Sequence, residues 1–165
     1  MLYIAALNED RPWMLASEPR LLSRPTLSWE NTEGTINNEG PHSFVTEDCV
    51  YLSYSGGAAN SYTYAVGLLT ANPQDDLSNP ANWHKSLTPV LHYQSVAGEY
   101  GPGHNSFFRD DLGNLWIAFH GEVSYESRER CAGIRRVHFD VDGRRDSTFP
   151  RIATSIWPCA MCRST

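Results

Sequence analysis

The chain has 165 residues, of which 41% are apolar and 19% charged, a composition that predicts one globular domain with a buried core and excludes a disordered chain. A net charge of −6 argues against a nucleic-acid partner, whose phosphates require clustered Lys and Arg. No apolar run approaches the roughly 18 residues that a membrane span requires, so no membrane partner is expected.

Short strands separated by turn residues follow one another along the chain. Aromatic and branched apolar residues concentrate in four runs, each bounded by Gly, Asn or Asp: 49–57 ("CVYLSYSGG"), 62–71 ("YTYAVGLLTA"), 114–121 ("NLWIAFHG") and 132–143 ("AGIRRVHFDVDG"). Helical periodicity is scarce, and the one predicted helical turn lies in 73–83 ("PQDDLSNPANW"), where Asp and Ser are suitable caps. The pattern predicts an all-β fold.

An internal repeat organises these strands. Residues 41–57 ("PHSFVTEDCVYLSYSGG") and 104–121 ("HNSFFRDDLGNLWIAFHG") share a Ser-Phe pair, an acidic turn, an aromatic strand and a closing glycine. A Trp-x5-Pro-x-Leu pattern also recurs from Trp13 to Trp83 and predicts an outer strand in each unit. Four-stranded units at a period of about 65–70 residues indicate blades of a β-propeller, with a single sandwich as the alternative.

The repeat also predicts how much of a domain is present. "MLYIAAL" at 1–7 matches the third strand of a unit, so about two to two and a half blades are expected, whereas closed propellers have four or more. We therefore expect residues 1–150 to be the C-terminal portion of a longer propeller domain. The N-terminus lacks the pattern of a signal peptide, but with the true N-terminus expected upstream the compartment, cytoplasmic or secreted, stays open.

The last residues, 151–165, are predicted to form a poorly packed tail. They contain Cys159 and Cys162 in a C-x-x-C, "CAMC". One such pair without a second pair of ligands is a weak zinc or redox signal. We interpret it as two thiols in the tail, with a small metal or thiol site as the alternative.

Two related stretches contain the candidate chemistry. Glu39 lies in "NNEGPH" and His104 in "GPGHN", each just before an aligned Ser-Phe strand. In a propeller the innermost strand of every blade lines the central axis, so both side chains are expected on equivalent entry loops that face one axial pocket. Gly and Pro fix a tight turn and permit close approach of a ligand to the backbone.

The motifs "NEGPHSF", "YLSYSGG", "YAVGLLTA", "GPGHNSFF" and "WIAFHG" resemble the C-terminal half of glycoside hydrolase family 43. The resemblance runs from Leu2 to Pro150 and is greatest to the α-L-arabinofuranosidase-like members. It implies a five-bladed β-propeller and inverting hydrolysis of terminal α-L-arabinofuranosyl or β-D-xylosyl linkages in plant cell-wall oligo- or polysaccharides. An inverting enzyme uses one carboxylic acid to protonate the leaving oxygen and a second carboxylate to activate water.

The resemblance also implies roles for individual residues. Glu39 matches the general acid, which must be protonated to act. His104 matches a histidine beneath the sugar, and Arg130 an arginine that hydrogen-bonds sugar hydroxyls. Trp29 is a candidate for stacking on a sugar face, with a core position as the alternative. Three further aromatic residues are interpreted as packing residues: Tyr54, Trp83 and Trp116.

No cofactor is required by this resemblance. Many members hold a largely hydrated metal ion such as Ca²⁺ in the central channel, and others use the histidine without metal. Because Ca²⁺ prefers oxygen ligands, His104 is expected to contact such an ion through water.

The general base of the family has no match in this chain, since Glu9 and Asp10 lie at the wrong end of their strand. The isolated chain is therefore predicted to hydrolyse glycosides negligibly. The alternative is a noncatalytic carbohydrate-binding or structural propeller segment, which has no need of a protonated carboxyl at the axis.

Overall fold

The structure, a computed structural model, describes residues 1–95, 97–126, 129–139 and 151–152. These residues form ten strands and two single 3-10 turns, with no α-helix among them. The strands are β1 Leu2–Ile4, β2 Arg20–Ser23, β3 Asn38–Val45, β4 Val50–Gly56, β5 Ala65–Ala71, β6 His84–Lys85, β7 Tyr100–Arg109, β8 Leu115–Glu122, β9 Arg130–His138 and β10 Arg151–Ile152. The 3-10 turns are Ser28–Glu30 and Pro80–Asn82.

The strands form three antiparallel sheets, and in each sheet neighbouring strands are consecutive in the sequence. A first blade has the order β3-β4-β5-β6 and a second blade the order β10-β9-β8-β7, while β1 and β2 form a separate pair. Each blade is a four-stranded meander whose first strand is long, as expected for a propeller. The predicted all-β fold is confirmed, and the chain forms two blades and part of a third.

The first blade is covered on both faces. Alternating side chains of its strands point to opposite sides, so Phe44, Val66 and Leu68 pack against Ile117 and Phe119 of the second blade. On the other face Tyr54 and Leu69 pack against Leu2, with Leu22, Trp29, Leu52 and Trp83 around them. Burial of these two apolar layers is the main force that holds the blades together.

The predicted strands are confirmed, with ends shifted by a few residues. The predicted helical turn is the 3-10 turn Pro80–Asn82, which is capped by the side chain of Asn79 rather than by Asp or Ser. The Asp-Gly turn expected at 142–143 and the tail from 153 onward, with its "CAMC", lie outside the described residues. Through the described part of the chain no helix is long and apolar enough to cross a membrane.

Two details of the repeat differ from the prediction. Glu39 and His104 lie within β3 and β7 rather than on loops that precede them, because each strand continues through a β-bulge. The Trp-Pro pattern is not one structural unit: β6 begins directly after Trp83, whereas Trp13 lies in the loop between β1 and β2 and is 78% exposed. The strand that follows Trp13, β2, begins at Arg20, directly after Pro19.

Candidate active site

A β-bulge in β3 orients Glu39. The pairing of β3 with β4 places Glu39 opposite Ser55, and the register then shifts before His42. Gly40, inside this bulge, has a φ of 55°, a left-handed conformation that glycine adopts without steric cost. The bulge leaves Glu39 half-buried at the end of the blade.

His104 reaches the same place from the neighbouring blade. Its φ of 49° is uncommon for a residue with a Cβ, and the register of β7 shifts on both sides of Gly103. Its backbone N–H donates to Ser55 Oγ at 2.7 Å. A Cβ on Gly40 would lie 3.1 Å from Nδ1 of the His104 ring, so the imidazole packs on the backbone next to Glu39. The predicted convergence of the two residues is present.

Tyr64, the residue before β5, contacts the carboxylate directly. Its hydroxyl donates to Glu39 Oε1 at 2.7 Å, and its side chain is fully buried. Burial, assisted by the charge of Glu39, raises the pKa of Tyr64 above its usual range. The phenol is therefore protonated, and able to donate a hydrogen bond, near pH 7.

His120 and Arg130 complete the cluster. The imidazole of His120 stacks on the Tyr64 ring at 5.6 Å between centroids and 11° between planes. Burial, together with the nearby positive charges of Arg130 and His104, lowers the pKa of His120 to about 4, so the ring is neutral near pH 7. Its Nε2 is buried without a hydrogen-bond partner in the described part of the chain.

Arg130 lies at the exposed rim of this cluster, where its guanidinium donates to the carbonyl of Ala59 at 2.6 Å. Its charge acts on both Tyr64 and His120. Three of the four residues that the sequence singled out, Glu39, His104 and Arg130, thus gather around Tyr64 and His120. Their roles toward a sugar stay predictions.

Trp29 lies apart from this cluster. It stacks on Tyr54 at 5.9 Å, and a Cβ on Gly56 or Gly67 would collide with its ring. Tyr54 points to the opposite face of the blade from Ser55, because successive residues of a strand alternate. The indole donates to the carbonyl of Leu87 at 3.2 Å. This position is the packing alternative considered for Trp29, and Tyr54 and Trp83 belong to the same apolar cluster.

Trp116 also packs within the protein: it stacks on Phe108 and donates to Asp110 Oδ2 at 2.9 Å. The carboxylate of Asp110 accepts further bonds from Asn114 and from the backbone N–H of Leu112. These donors, the Asn114 side chain first, lower the pKa of Asp110 to about 2. This network fixes the turn between β7 and β8, well away from Glu39.

Sequence reasoning did not single out Ser55, Tyr64 or His120. All three lie at the same end of the blades as Glu39. Each occupies a position in an alternating strand that a core residue would also occupy. The one usable signal was positional: His120 is a polar residue directly before the glycine that closes a repeat unit.

The donor set around His104 does not make a Ca²⁺ site by itself. Through the described ranges no group of three or more His, Cys, Asp and Glu side chains is arranged to hold a metal ion, and Glu39 is the carboxylate of the cluster. Ca²⁺ takes six to eight oxygen ligands. A calcium ion contacted through water by His104 stays a prediction, and the proposed hydrolysis does not depend on such an ion.

Comparison with known proteins identifies the fold family. The sequence model of "Glycosyl hydrolases family 43" matches residues 1–144. The chain belongs to glycosyl hydrolase family 43. Two curated relatives in this family are an extracellular exo-α-(1→5)-L-arabinofuranosidase of Streptomyces avermitilis, 34% identical over 165 residues, and α-L-arabinofuranosidase 43 of Humicola insolens, 39% identical over 157 residues.

These alignments cover 95% and 90% of this family-43 chain, but 33% and 32% of the two relatives. The chain therefore spans about a third of the length of the curated relatives it matches. Among solved structures it is similar to an α-L-arabinofuranosidase from Lactobacillus brevis, with a TM-score of 0.78 and 28% identity over 93% of this chain and 47% of that one. A thermostable family-43 glycoside hydrolase gives a TM-score of 0.73 at 25% identity.

Proposed function

We propose that this family-43 chain supplies the general acid of an inverting glycosidase that removes terminal α-L-arabinofuranosyl or β-D-xylosyl units from oligo- or polysaccharides. The observation that carries the proposal is the Glu39 carboxyl, half-buried and held by Tyr64 where two blades meet, with His104, His120 and Arg130 around it. Relatives that are named arabinofuranosidases favour the arabinoside.

In the proposed step Glu39 gives its proton to the glycosidic oxygen. The bond from that oxygen to the anomeric carbon breaks, and its electron pair remains on the leaving alcohol. A water molecule forms the new bond from the opposite face and loses a proton to a carboxylate general base, which inverting enzymes hold about 6.5–9.5 Å from the acid. We place this base outside the present 165 residues.

The other side chains bind the sugar or support the carboxyl in this proposal. Arg130 offers a planar fork of donors that suits neighbouring hydroxyls. His120, whose Nε2 is buried, supports the ring of Tyr64 beneath the carboxyl. His104, which packs on the backbone of Gly40, lies next to the carboxyl.

The test is a comparison of two leaving groups with Glu39→Gln. We would use a chimera in which residues 1–144 replace the matching segment of the Streptomyces avermitilis relative, with the intact 165-residue chain assayed beside it. A general acid contributes about 10²–10⁴-fold, so Glu39→Gln should lower hydrolysis of an arabino-oligosaccharide by about that factor. The dinitrophenolate of a dinitrophenyl arabinofuranoside leaves without a proton. The Glu39→Gln variant should therefore hydrolyse this substrate nearly as fast as the parent chimera does.

Equal loss on both substrates would contradict the role of Glu39 as the acid. Arabinose release by the chain alone, abolished by Glu39→Gln, would contradict the placement of the base elsewhere. Sugar binding without hydrolysis by a folded chimera would instead support the noncatalytic alternative. The ratio of rates on aryl arabinofuranoside and aryl xyloside decides which sugar is the substrate.

A further inference from the structure

Two buried tyrosines of the first blade donate to glutamates in different settings. Tyr54 donates to Glu30, a fully buried carboxylate that also pairs with Lys85 Nζ at 2.6 Å and accepts from Asn38 Nδ2 at 2.8 Å. Tyr64 donates to Glu39, which is half-buried and packs next to His104. The first pair is part of a closed internal network, whereas the second ends at an oxygen that a ligand can approach.

We propose that Tyr64 is the positioning residue of the acid: its hydroxyl holds Glu39 Oε1 and thereby leaves Oε2 as the oxygen that delivers the proton. This inference rests on the proposed function of Glu39. A half-buried carboxyl rotates readily about its last bond, so a single fixed donor decides which oxygen is free. Among the described residues Tyr64 is the side chain that donates to this carboxyl.

The phenol is itself held rigidly. Its ring carbons Cε1 and Cδ1 lie 2.1 and 2.3 Å from where a Cβ on Gly103 would be, so the ring occupies the space left by that glycine. His120 covers the ring face. The donor to Glu39 is therefore set by contacts from β7 and β8.

These contacts explain three features at once. A glycine is required at 103 because a Cβ there would lie 2.1 Å from the Tyr64 ring, a distance that Cβ atoms in proteins essentially never show. The ring would have to move. The stacked His120 is a flat neighbour that supports the phenol without competing for its hydroxyl. Burial keeps the phenol protonated near pH 7, so its hydroxyl is available to donate to Glu39. Each feature acts on the position of the Glu39 carboxyl.

Side-chain mobility in the 165-residue chain provides a test that needs no activity. In protein with ¹³C-labelled glutamate, NMR relaxation reports the mobility of the Glu39 side chain. We expect Tyr64→Phe to increase it strongly, and Tyr54→Phe, which removes the same hydroxyl from the same blade, to leave it unchanged. Gly103→Ala should reproduce the effect of Tyr64→Phe by displacing the ring. Gly121→Ala is its control, since a Cβ there would meet nothing closer than 3.5 Å.

Hydrolysis by the chimera provides the second readout. Tyr64→Phe should lower the rate on the arabino-oligosaccharide by about 10–100-fold, a part of the 10²–10⁴-fold effect of a general acid, and leave the dinitrophenyl substrate nearly unaffected. A tyrosine that merely stabilises the fold would lower both rates equally, as expected for Tyr54→Phe. The value of KM should remain close to that of the parent, because Tyr64 is buried beneath the carboxyl.

The two readouts separate this inference from the proposed function. Unchanged mobility of Glu39 in both Tyr64→Phe and Gly103→Ala overturns the positioning role, whatever the kinetics show. If mobility rises but Glu39→Gln lacks leaving-group selectivity, the proposed acid function fails, and the positioning of a catalytic acid fails with it. Increased mobility together with selective loss on the oligosaccharide supports both.

Discussion

His120 makes the stability of the protein depend on pH in a defined window. The pKa of this histidine falls from its ordinary value of 6.5 to about 4 in the folded chain, because of burial first and then the charges of Arg130 and His104. Between these two values the unfolded state binds more protons than the folded state. The free energy of unfolding therefore decreases as the pH falls from about 6.5 to about 4.

We expect His120→Asn to flatten this dependence. Chemical denaturation at a series of pH values between 7 and 4 measures the slope, and the parent chain should lose more stability across the window than the variant. His84→Asn, at an exposed histidine of β6, is the matched control. Parallel curves for the parent and His120→Asn would contradict the shift.

The same residues indicate how much of the site the sequence predicts. Glu39 and His104 stand beside Gly-Pro motifs that recur in both units, so they could be identified without coordinates. Tyr64 could not, because a tyrosine at the start of an apolar strand is ordinarily a core residue. Its role depends on a contact across the sheet with β3 and on the space at Gly103 in the next blade, and neither is a property of its own segment.

A buried network of charged and polar side chains links several secondary-structure elements and anchors Asn38, the first residue of β3. Asn38, directly before Glu39, donates to Glu30 at 2.8 Å and accepts from Ser23 Oγ at 2.9 Å. Glu30 also accepts from the backbone N–H of Leu27 and pairs with Lys85. The 3-10 turn Ser28–Glu30, strand β2 and strand β6 are thus tied to the strand that carries Glu39.

Removing the cation from this network should be costly. Lys85→Met leaves the Glu30 carboxylate buried without its countercharge, which typically lowers the free energy of unfolding by about 3–5 kcal/mol. Urea denaturation measures this, and the double variant Glu30→Gln with Lys85→Met should recover part of the loss since no charge is left buried. If the single and double variants were equally stable, the ion pair would contribute little to anchoring β3.

At this scale the strands were predictable and the bulges were not. Strand positions follow from apolar alternation, which a linear sequence displays directly. The bulges at Glu39 and around Gly103 extend β3 and β7 through residues that carry turn signals, because Gly40 and Gly101, both at a φ of 55°, let the chain continue in the sheet. The sequence therefore predicted loops where the structure has irregular strands.

Seen as a whole, the molecule is apolar at one end. Five large side chains of β1 and of the segment between β1 and β2 are exposed by 44–78%: Tyr3, Leu7, Trp13, Met14 and Leu15. An apolar surface of this kind marks a contact site or an aggregation hazard.

We expect the isolated chain to self-associate through this end. Sedimentation velocity should show a molecular mass that rises with concentration, and Trp13→Ser should weaken the effect because it removes the most exposed of these side chains. Leu112→Ser, at an equally exposed leucine in the turn before β8, is the control. A chain that stays monomeric at all concentrations would contradict the expectation.

The hydrogen bond from Tyr64 to Glu39 joins the start of β5 to β3 within one sheet. Both residues of the pair are encoded within some 30 consecutive residues, from Asn38 to Val66. The support of the phenol comes from the second blade, through Gly103 and His120. A substitution in the second blade can therefore move the Glu39 carboxyl without any change in the segment that encodes Glu39 and Tyr64.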